Sequence, residues 1–203
     1  MKFKELINTS NFLKDSFKNI GEYFKEVEIH GISNNSKNIK KNYIFFAFSG
    51  KNTNGNLYIE EARKNGAKII ISQEEKNKDV IKLPNKDYSL IYSRLCSLFY
   101  NKKPKNIIAV TGTNGNTSVT DFCRQLWNFY GLKSASIGTL GIRESSQNHY
   151  YKINGNLTTP DSSELNKQLS KLCDKRISYV ALEASSHGII QNRLGGINFN
   201  GAI

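Results

Sequence analysis

Apolar and polar positions follow two different periods along this chain, and their order predicts an α/β fold. Residues 107–110 form a continuous β-branched or small run bounded by polar neighbours, as a strand buried on both faces requires. A glycine-bearing segment from Gly112 to Gly115 comes next. Val119, Phe122, Cys123, Leu126 and Trp127 then recur at helical spacing, until Gly131 stands where a left-handed C-terminal cap belongs. Strand, glycine loop and amphipathic helix thus run without a gap from Asn106 to Gly131. The glycines let the backbone turn tightly and point its N–H groups inward, and Thr117 and Ser118 open a helix whose positive end faces the same hollow. A polyphosphate fits such a hollow.

The pattern before this stretch predicts a smaller α/β domain. Phe3, Leu6 and Ile7 mark a short helical start within residues 1–26 that carries no visible chemistry. Residues 27–32 alternate as a strand, and YIFFAF at 43–48 is a second, joined to the first by the polar SNNSKNIKKN. A helix is predicted over 56–66, with Tyr58, Ile59 and Ala62 on one face and Gly66 ending it, and a strand over 68–72. Asp87 caps a further helix carrying Leu90, Ile91, Leu95, Leu98 and Phe99. The basic NKKPK at 101–105 reads as a connection, which sets the expected domains at 1–103 and 104–203.

Beyond the glycine loop, residues 134–140 predict a strand. Thr159 and Pro160 start a helix as N-cap and first-turn proline, with Leu165, Leu169 and Leu172 one face apart. ISYVALE at 177–183 is the next buried strand, and it ends on an acid. This alternation implies a mostly parallel sheet with ligands beyond the carboxyl ends of its strands, where Glu183, Ser185, Ser186 and His187 fall. The last residues, up to Ile203, read as the middle of another strand, and an open sheet edge there predicts association through it.

Composition narrows the function classes. With 203 residues the chain has room for one or two domains with a sizeable core. Cys96, Cys123 and Cys173 lie far apart on predicted helices, which argues against a disulfide framework or a cysteine metal site and for a reducing, cytoplasmic setting. The N-terminus is interrupted by Lys or Asp every few residues, and no segment approaches a membrane span, so neither a signal peptide nor a membrane partner is expected. The net charge of +12 comes from scattered lysines among many asparagines, without a basic helix or an aromatic-plus-basic strand. That favours compositional bias over a nucleic-acid footprint, with some attraction for anionic substrates.

The loop departs twice from the generic G-x-x-x-x-G-K-S/T pattern, with Val110 at the first glycine and Asn116 at the lysine. Its words, V-T-G-T-N-G followed by N-T, resemble the shorter ATP loop of the Mur ligase family. Three further stretches line up in the family's order: LTTPDSSEL at 157–165, LEASSHGIIQNR at 182–193, and the amino-terminal run from Ser33 to Ile71. The set is similar to the branch of the family that adds the third residue of the peptidoglycan peptide stem. The resemblance implies a small uridine-nucleotide domain followed by an incomplete ATP-binding domain. It implies a monomer that uses ATP and Mg²⁺ to join UDP-N-acetylmuramoyl-L-alanyl-D-glutamate to a diamino acid through an acyl phosphate.

Carried over residue by residue, the resemblance assigns ATP binding to Gly112, Thr113, Asn114, Gly115, Asn116, Thr117 and Ser118. Thr117 and Glu183 would face Mg²⁺, and Asn116 and Glu183 occupy catalytic positions. Thr158, Thr159, Ser185, Gln191 and Arg193 would bind the muramoyl-peptide part. Ser36, Lys51, Asn52 and Thr53 would bind the uridine end, and His187 is either a substrate contact or a turn residue. Asn116 supplies an amide where the family has an ammonium, and Asn35 and Lys37 replace the acid and the arginine flanking the family's serine. The family's sequence continues past the equivalent of Ile203 into the parts that select the amino acid, so meso-diaminopimelate and L-lysine both stay open. Two readings follow: the front part of a ligase, or a binding copy that keeps the sugar-nucleotide site without catalysis. A GTPase or kinase of the ordinary phosphate-loop type is disfavoured by Asn116.

Overall fold

The computed structural model describes residues 1–50, 54–74, 79–83, 85–145, 150–151 and 157–203, and divides them into two units, Met1–Phe99 and Tyr100–Ile203. The first unit opens with three short helices, α1 (Phe3–Ile7), α2 (Asn11–Ser16) and α3 (Glu22–Lys25). A four-stranded parallel sheet follows in the order β1 (Gly31–Ser33), β2 (Tyr43–Ala47), β3 (Ala67–Ser72) and β4 (Val80–Lys82). Helices α4 (Ile59–Lys64) and α5 (Tyr88–Phe99) complete it. Alternation along β2 sends Ile44 and Phe46 into one core with α5 and the amino-terminal helices, and Phe45 and Ala47 into another with Ile59 and Ala62 of α4. Both faces of the sheet are therefore covered, as parallel sheets require.

Three expectations shift here. The strand expected over 27–32 is confined to Gly31–Ser33, because the preceding residues pair with the amino terminus instead: Phe3 N–H donates to Val27 O and Ile29 N–H to Met1 O. The helix expected over 56–66 begins as a 3₁₀ turn at Gly55–Tyr58 and is α-helical only over Ile59–Lys64. Gly66 ends it with φ +106°, where a Cβ would lie 2.8 Å from Lys41 Cα. Strand β4 has no counterpart in the sequence reading, since Val-Ile-Lys is too short to show a period.

The second unit is a six-stranded sheet. Its strands are β5 (Asn106–Val110), β6 (Ser134–Gly138), β7 (Gly141–Glu144), β8 (Tyr150–Tyr151), β9 (Tyr179–Glu183) and β10 (Gly201–Ala202). Their order is β10-β5-β9-β6-β7-β8, parallel from β10 to β6 and antiparallel from β6 to β8. The fold is α/β with mostly parallel sheets, as expected. The expected strand over 134–140 ends at Gly138, because Gly138 pairs with Gly141 and leaves Thr139 and Leu140 as a two-residue hairpin turn.

The helices of this unit are α6 (Asn116–Phe129), α7 (Ser162–Asp174) and α8 (Ser186–Ile190). One face of the sheet, with Ile107, Ala135, Ile137, Val180 and Leu182, packs on Leu165, Leu169 and Leu172 of α7. Each of those leucines is at most 1% exposed and contributes about 1.5–3 kcal/mol of apolar burial. Helix α7 starts at Ser162 with Asp161 as its N-cap, accepting from Ser163 N–H at 3.0 Å, rather than at Thr159 and Pro160. The Thr159 hydroxyl is engaged at the end of β9 instead.

Helix α6 packs on the other face with only part of its apolar stripe: Val119, Cys123 and Trp127 are half-buried, with the Trp127 ring 5.4 Å from that of Tyr179. Thr120 and Asp121 are its buried residues, while Phe122 and Leu126 are each 59% exposed and Phe129 is 83% exposed. The sheet face beneath explains the inversion: alternation along β6 places Ser134, Ser136 and Gly138 there. Ser136 Oγ donates to Asp121 at 3.4 Å and Ser134 Oγ to Arg124 O at 2.9 Å, and Arg124 and Arg143 pair with the Asp121 carboxylate. The far end of α6 closes as expected, with Gly131 at φ +74° and Leu132 N–H donating to Trp127 O.

Candidate functional site

The carboxyl end of β5 leads directly into the glycine loop. Val110 lies opposite Glu183 in the parallel pairing of β5 with β9, and Ala184 N–H donates to Val110 O at 2.8 Å. The loop therefore starts one residue from the partner of Glu183. Gly115 is the N-cap of α6 with φ +81°, a conformation that side chains resist. Lacking a side chain, it cannot cap the N–H groups of the first turn, which stay available to an anion at the positive end of the helix. A Cβ at Gly112 would meet Asn114 O at 3.5 Å and Asn116 Oδ1 at 3.9 Å, so the Asn116 amide folds back over the loop. Asn116 is the first residue of α6, followed by Thr117 and Ser118.

Glu183 is 2% exposed and makes no ion pair among the described residues. Among the described residues its two oxygens accept only neutral donors, the Thr139 N–H at 3.1 Å and the Thr139 hydroxyl at 2.9 Å. A buried carboxylate without a counter-charge is costly, and a cation beside it would remove that cost. No cluster of three or more His, Cys, Asp or Glu side chains exists among the described residues. A single carboxylate next to a phosphate loop fits Mg²⁺, which binds through one or two protein carboxylates plus substrate phosphates and keeps several waters.

Around Glu183 the substrate candidates form a connected set. Thr159 is fully buried; its hydroxyl donates to Glu183 O at 2.8 Å and accepts from Ser185 N–H at 2.9 Å. Ser185 caps α8, accepting from Gly188 N–H at 3.1 Å, and Gly188 packs so closely that a Cβ would sit 2.7 Å from Thr159 Cβ. Arg193 donates Nη1–H to Thr159 O at 2.7 Å and Nε–H and Nη2–H to Gln191 Oε1 at 3.0 and 2.6 Å. Burial pulls the Arg193 guanidinium below its usual value, offset in part by the charge of Asp161, and it remains a cation at neutral pH. Thr158 lies beside the tip of the β6–β7 hairpin, its Oγ1 3.1 Å from Thr139 Oγ1. His187 is exposed on α8.

In the first unit, Ser36 is 5% exposed and donates to Glu61 of α4 at 2.5 Å. Asn35 caps the 3₁₀ turn that holds it by accepting from Lys37 N–H. Lys51, Asn52 and Thr53 lie outside the described residues. Beyond the carboxyl ends of β2 and β3, Ser72 Oγ donates to Asn56 Oδ1 at 2.7 Å and Asn56 Nδ2 to Glu74 at 3.0 Å. Tyr88 of α5 donates its hydroxyl proton to Ile71 O at 2.7 Å, with Ala47 O also within 3.1 Å of the same oxygen, so it sits between those two strand ends.

Sequence reasoning missed Thr139, Asn56 and Glu74. A signal for Thr139 was present: Gly138 and Gly141 bracket a two-residue turn at the carboxyl end of a strand, where ligand-facing groups collect.

Comparison with known proteins gives a consistent picture. Residues 28–105 match the Mur ligase family, catalytic domain, and residues 110–203 the Mur ligase middle domain. The chain is 39% identical over 184 residues to a UDP-N-acetylmuramoyl-L-alanyl-D-glutamate--2,6-diaminopimelate ligase of Rickettsia typhi, covering 90% of this chain and 37% of the relative. A protein of the same name from Mesorhizobium japonicum is 36% identical over 175 residues, 85% of this chain and 35% of its own length. Among solved structures, one of a ligase with that name aligns over the whole chain and 39% of its own, with a TM-score of 0.76 and 26% identity. The chain thus spans somewhat over a third of the length of the curated relatives it matches.

Proposed function

The chain belongs to the Mur ligase family, and from that premise we propose that it forms the sugar-nucleotide and ATP sites of a ligase adding 2,6-diaminopimelate to UDP-N-acetylmuramoyl-L-alanyl-D-glutamate. The choice of diaminopimelate over lysine is supported by the names of the relatives. The single observation that carries the reading is the buried, unpaired Glu183 beside a glycine loop and an uncapped helix N-terminus.

In this reading the N–H groups of Gly112–Ser118 cradle the ATP phosphates, and Thr117 and Glu183 hold Mg²⁺. That ion, when bound, neutralises charge on the transferred phosphoryl group. Gln191 and Arg193, with Thr158, orient the muramoyl peptide so that its D-glutamate γ-carboxylate faces the phosphates. Thr159 and Ser185 hold the carboxyl end of β9 in place for Glu183. Ser36 and residues 51–53 serve the uridine end.

Asn116 favours a second reading for the chain by itself. An amide in place of an ammonium forgoes a charged hydrogen bond of about 1.5–3 kcal/mol. Losing one electrostatic stabiliser of a transition state commonly costs on the order of a hundred- to a thousandfold in rate. In this second reading the chain alone holds its substrates without ligating them. Purified chain given Mg²⁺, ATP, the UDP-muramoyl dipeptide and diaminopimelate should release no more ADP than with ATP alone. Dipeptide-dependent ADP release would refute this and assign the full ligase chemistry to these residues.

A further inference from the structure

Thr139 occupies the first turn position of the β6–β7 hairpin and grips Glu183 by two atoms. Its backbone N–H reaches one carboxylate oxygen at 3.1 Å and its hydroxyl reaches the other at 2.9 Å. A hydroxyl has one proton to give. Because the Thr139 proton goes to Glu183, the contact of 3.1 Å between Thr139 Oγ1 and Thr158 Oγ1 must run the other way, with Thr158 donating. The direction of the chain is thereby fixed as Thr158 to Thr139 to Glu183. The preceding Gly138 leaves no room for a side chain, since a Cβ there would lie 2.3 Å from Glu183 Cδ. Gly138 and Thr139 together form a fitted cradle for one carboxylate.

We infer that Thr139 is a positioning residue for the metal side of the site: its N–H and hydroxyl fix the rotation of the Glu183 carboxylate and leave that group's remaining lone pairs directed to a divalent cation. The inference rests on the reading of Glu183 as the metal-side acid. Two neutral donors suit this task. They orient the carboxylate while leaving its negative charge unneutralised, whereas a lysine or arginine in the same place would compete with the cation. Partners that orient a metal ligand in this way typically change metal affinity by roughly ten- to a hundredfold when removed.

The test measures Mn²⁺ affinity by electron paramagnetic resonance in the presence of ATP, on the full chain and on Thr139→Val, Thr139→Ser and Glu183→Gln. Melting temperatures are recorded alongside. Thr139→Val and Glu183→Gln should both weaken Mn²⁺ binding by roughly tenfold or more. Thr139→Ser, which keeps the hydroxyl, should restore it to near the parent value. If Glu183→Gln weakens binding and Thr139→Val does not, the role of Thr139 is overturned and the reading of Glu183 stands. Serine and valine variants that are equally weak also overturn it. Parent-like binding by Glu183→Gln, or no Mn²⁺ binding by the parent, overturns both. Should Thr139→Val fail to fold, Thr139→Ala is read in its place. Failure of both to fold means that the hydroxyl holds the hairpin rather than the carboxylate, and overturns the inference.

Discussion

At Thr159, the partners of one hydroxyl separate holding a site together from touching its ligand. The side chain is fully buried and bridges Glu183 O and Ser185 N–H, so it shapes the end of β9. Thr159→Val would strand a buried carbonyl and a half-buried N–H, and should destabilise the chain by about 1–3 kcal/mol in denaturant titration. Asn116 behaves oppositely. It is half-buried at the start of α6, with its amide over the loop, and a lysine there would bring the missing charge. Asn116→Lys should leave stability nearly unchanged and tighten ATP binding by roughly ten- to a hundredfold, the equivalent of one charge-assisted hydrogen bond. Calorimetric titration with Mg²⁺ and ATP checks it. Both residues were visible in the sequence as members of motifs. The structural role of Thr159 was not, because whether a hydroxyl faces inward or outward depends on strands far away in the chain.

At the scale of elements, α6 shows where a helical period misleads. Its apolar residues recur at the right spacing, yet the helix fully buries only Thr120 and Asp121, leaves Val119, Cys123 and Trp127 half-buried, and turns Phe122, Leu126 and Phe129 outward. The reason was written in another element, since SASIG at 134–138 puts Ser, Ser and Gly on one face of β6. A small, polar sheet face takes a polar helix face, and a hydrophobic stripe would leave the serine hydroxyls unpaired. Leu126→Glu should therefore shift Tm by no more than about 2 °C, whereas Asp121→Asn should lower it by at least about 4 °C. The pH dependence of that second effect has a definite sign. Burial works to raise the Asp121 value, but hydrogen bonds from Arg124 and Gln125 and the charges of Arg124 and Arg143 outweigh it and hold the carboxyl below its usual range. Its stabilisation is complete above the ordinary aspartate range and is lost as pH falls through the lower folded value. The Tm gap between parent and Asp121→Asn should close on acidification.

For the whole molecule, each unit is built on a sheet covered on both faces, parallel in the first unit and mostly parallel in the second, with the described candidate residues near the carboxyl ends of the parallel strands. The long apolar segments of this plan could be read directly, as at residues 43–48, 106–110 and 177–183, which the structure forms as strands over Tyr43–Ala47, Asn106–Val110 and Tyr179–Glu183. The short strands β4, β7 and β8 could not, since two to four residues carry no period of their own and form only because a neighbouring strand offers its edge. Binding is the property that joins these two levels. Isothermal titration of the folded chain with UDP-N-acetylmuramoyl-L-alanyl-D-glutamate tests it most directly. Saturable binding at one site per chain, displaced by excess UDP, is the expected result. No binding by a chain whose circular dichroism shows intact α/β structure would contradict it.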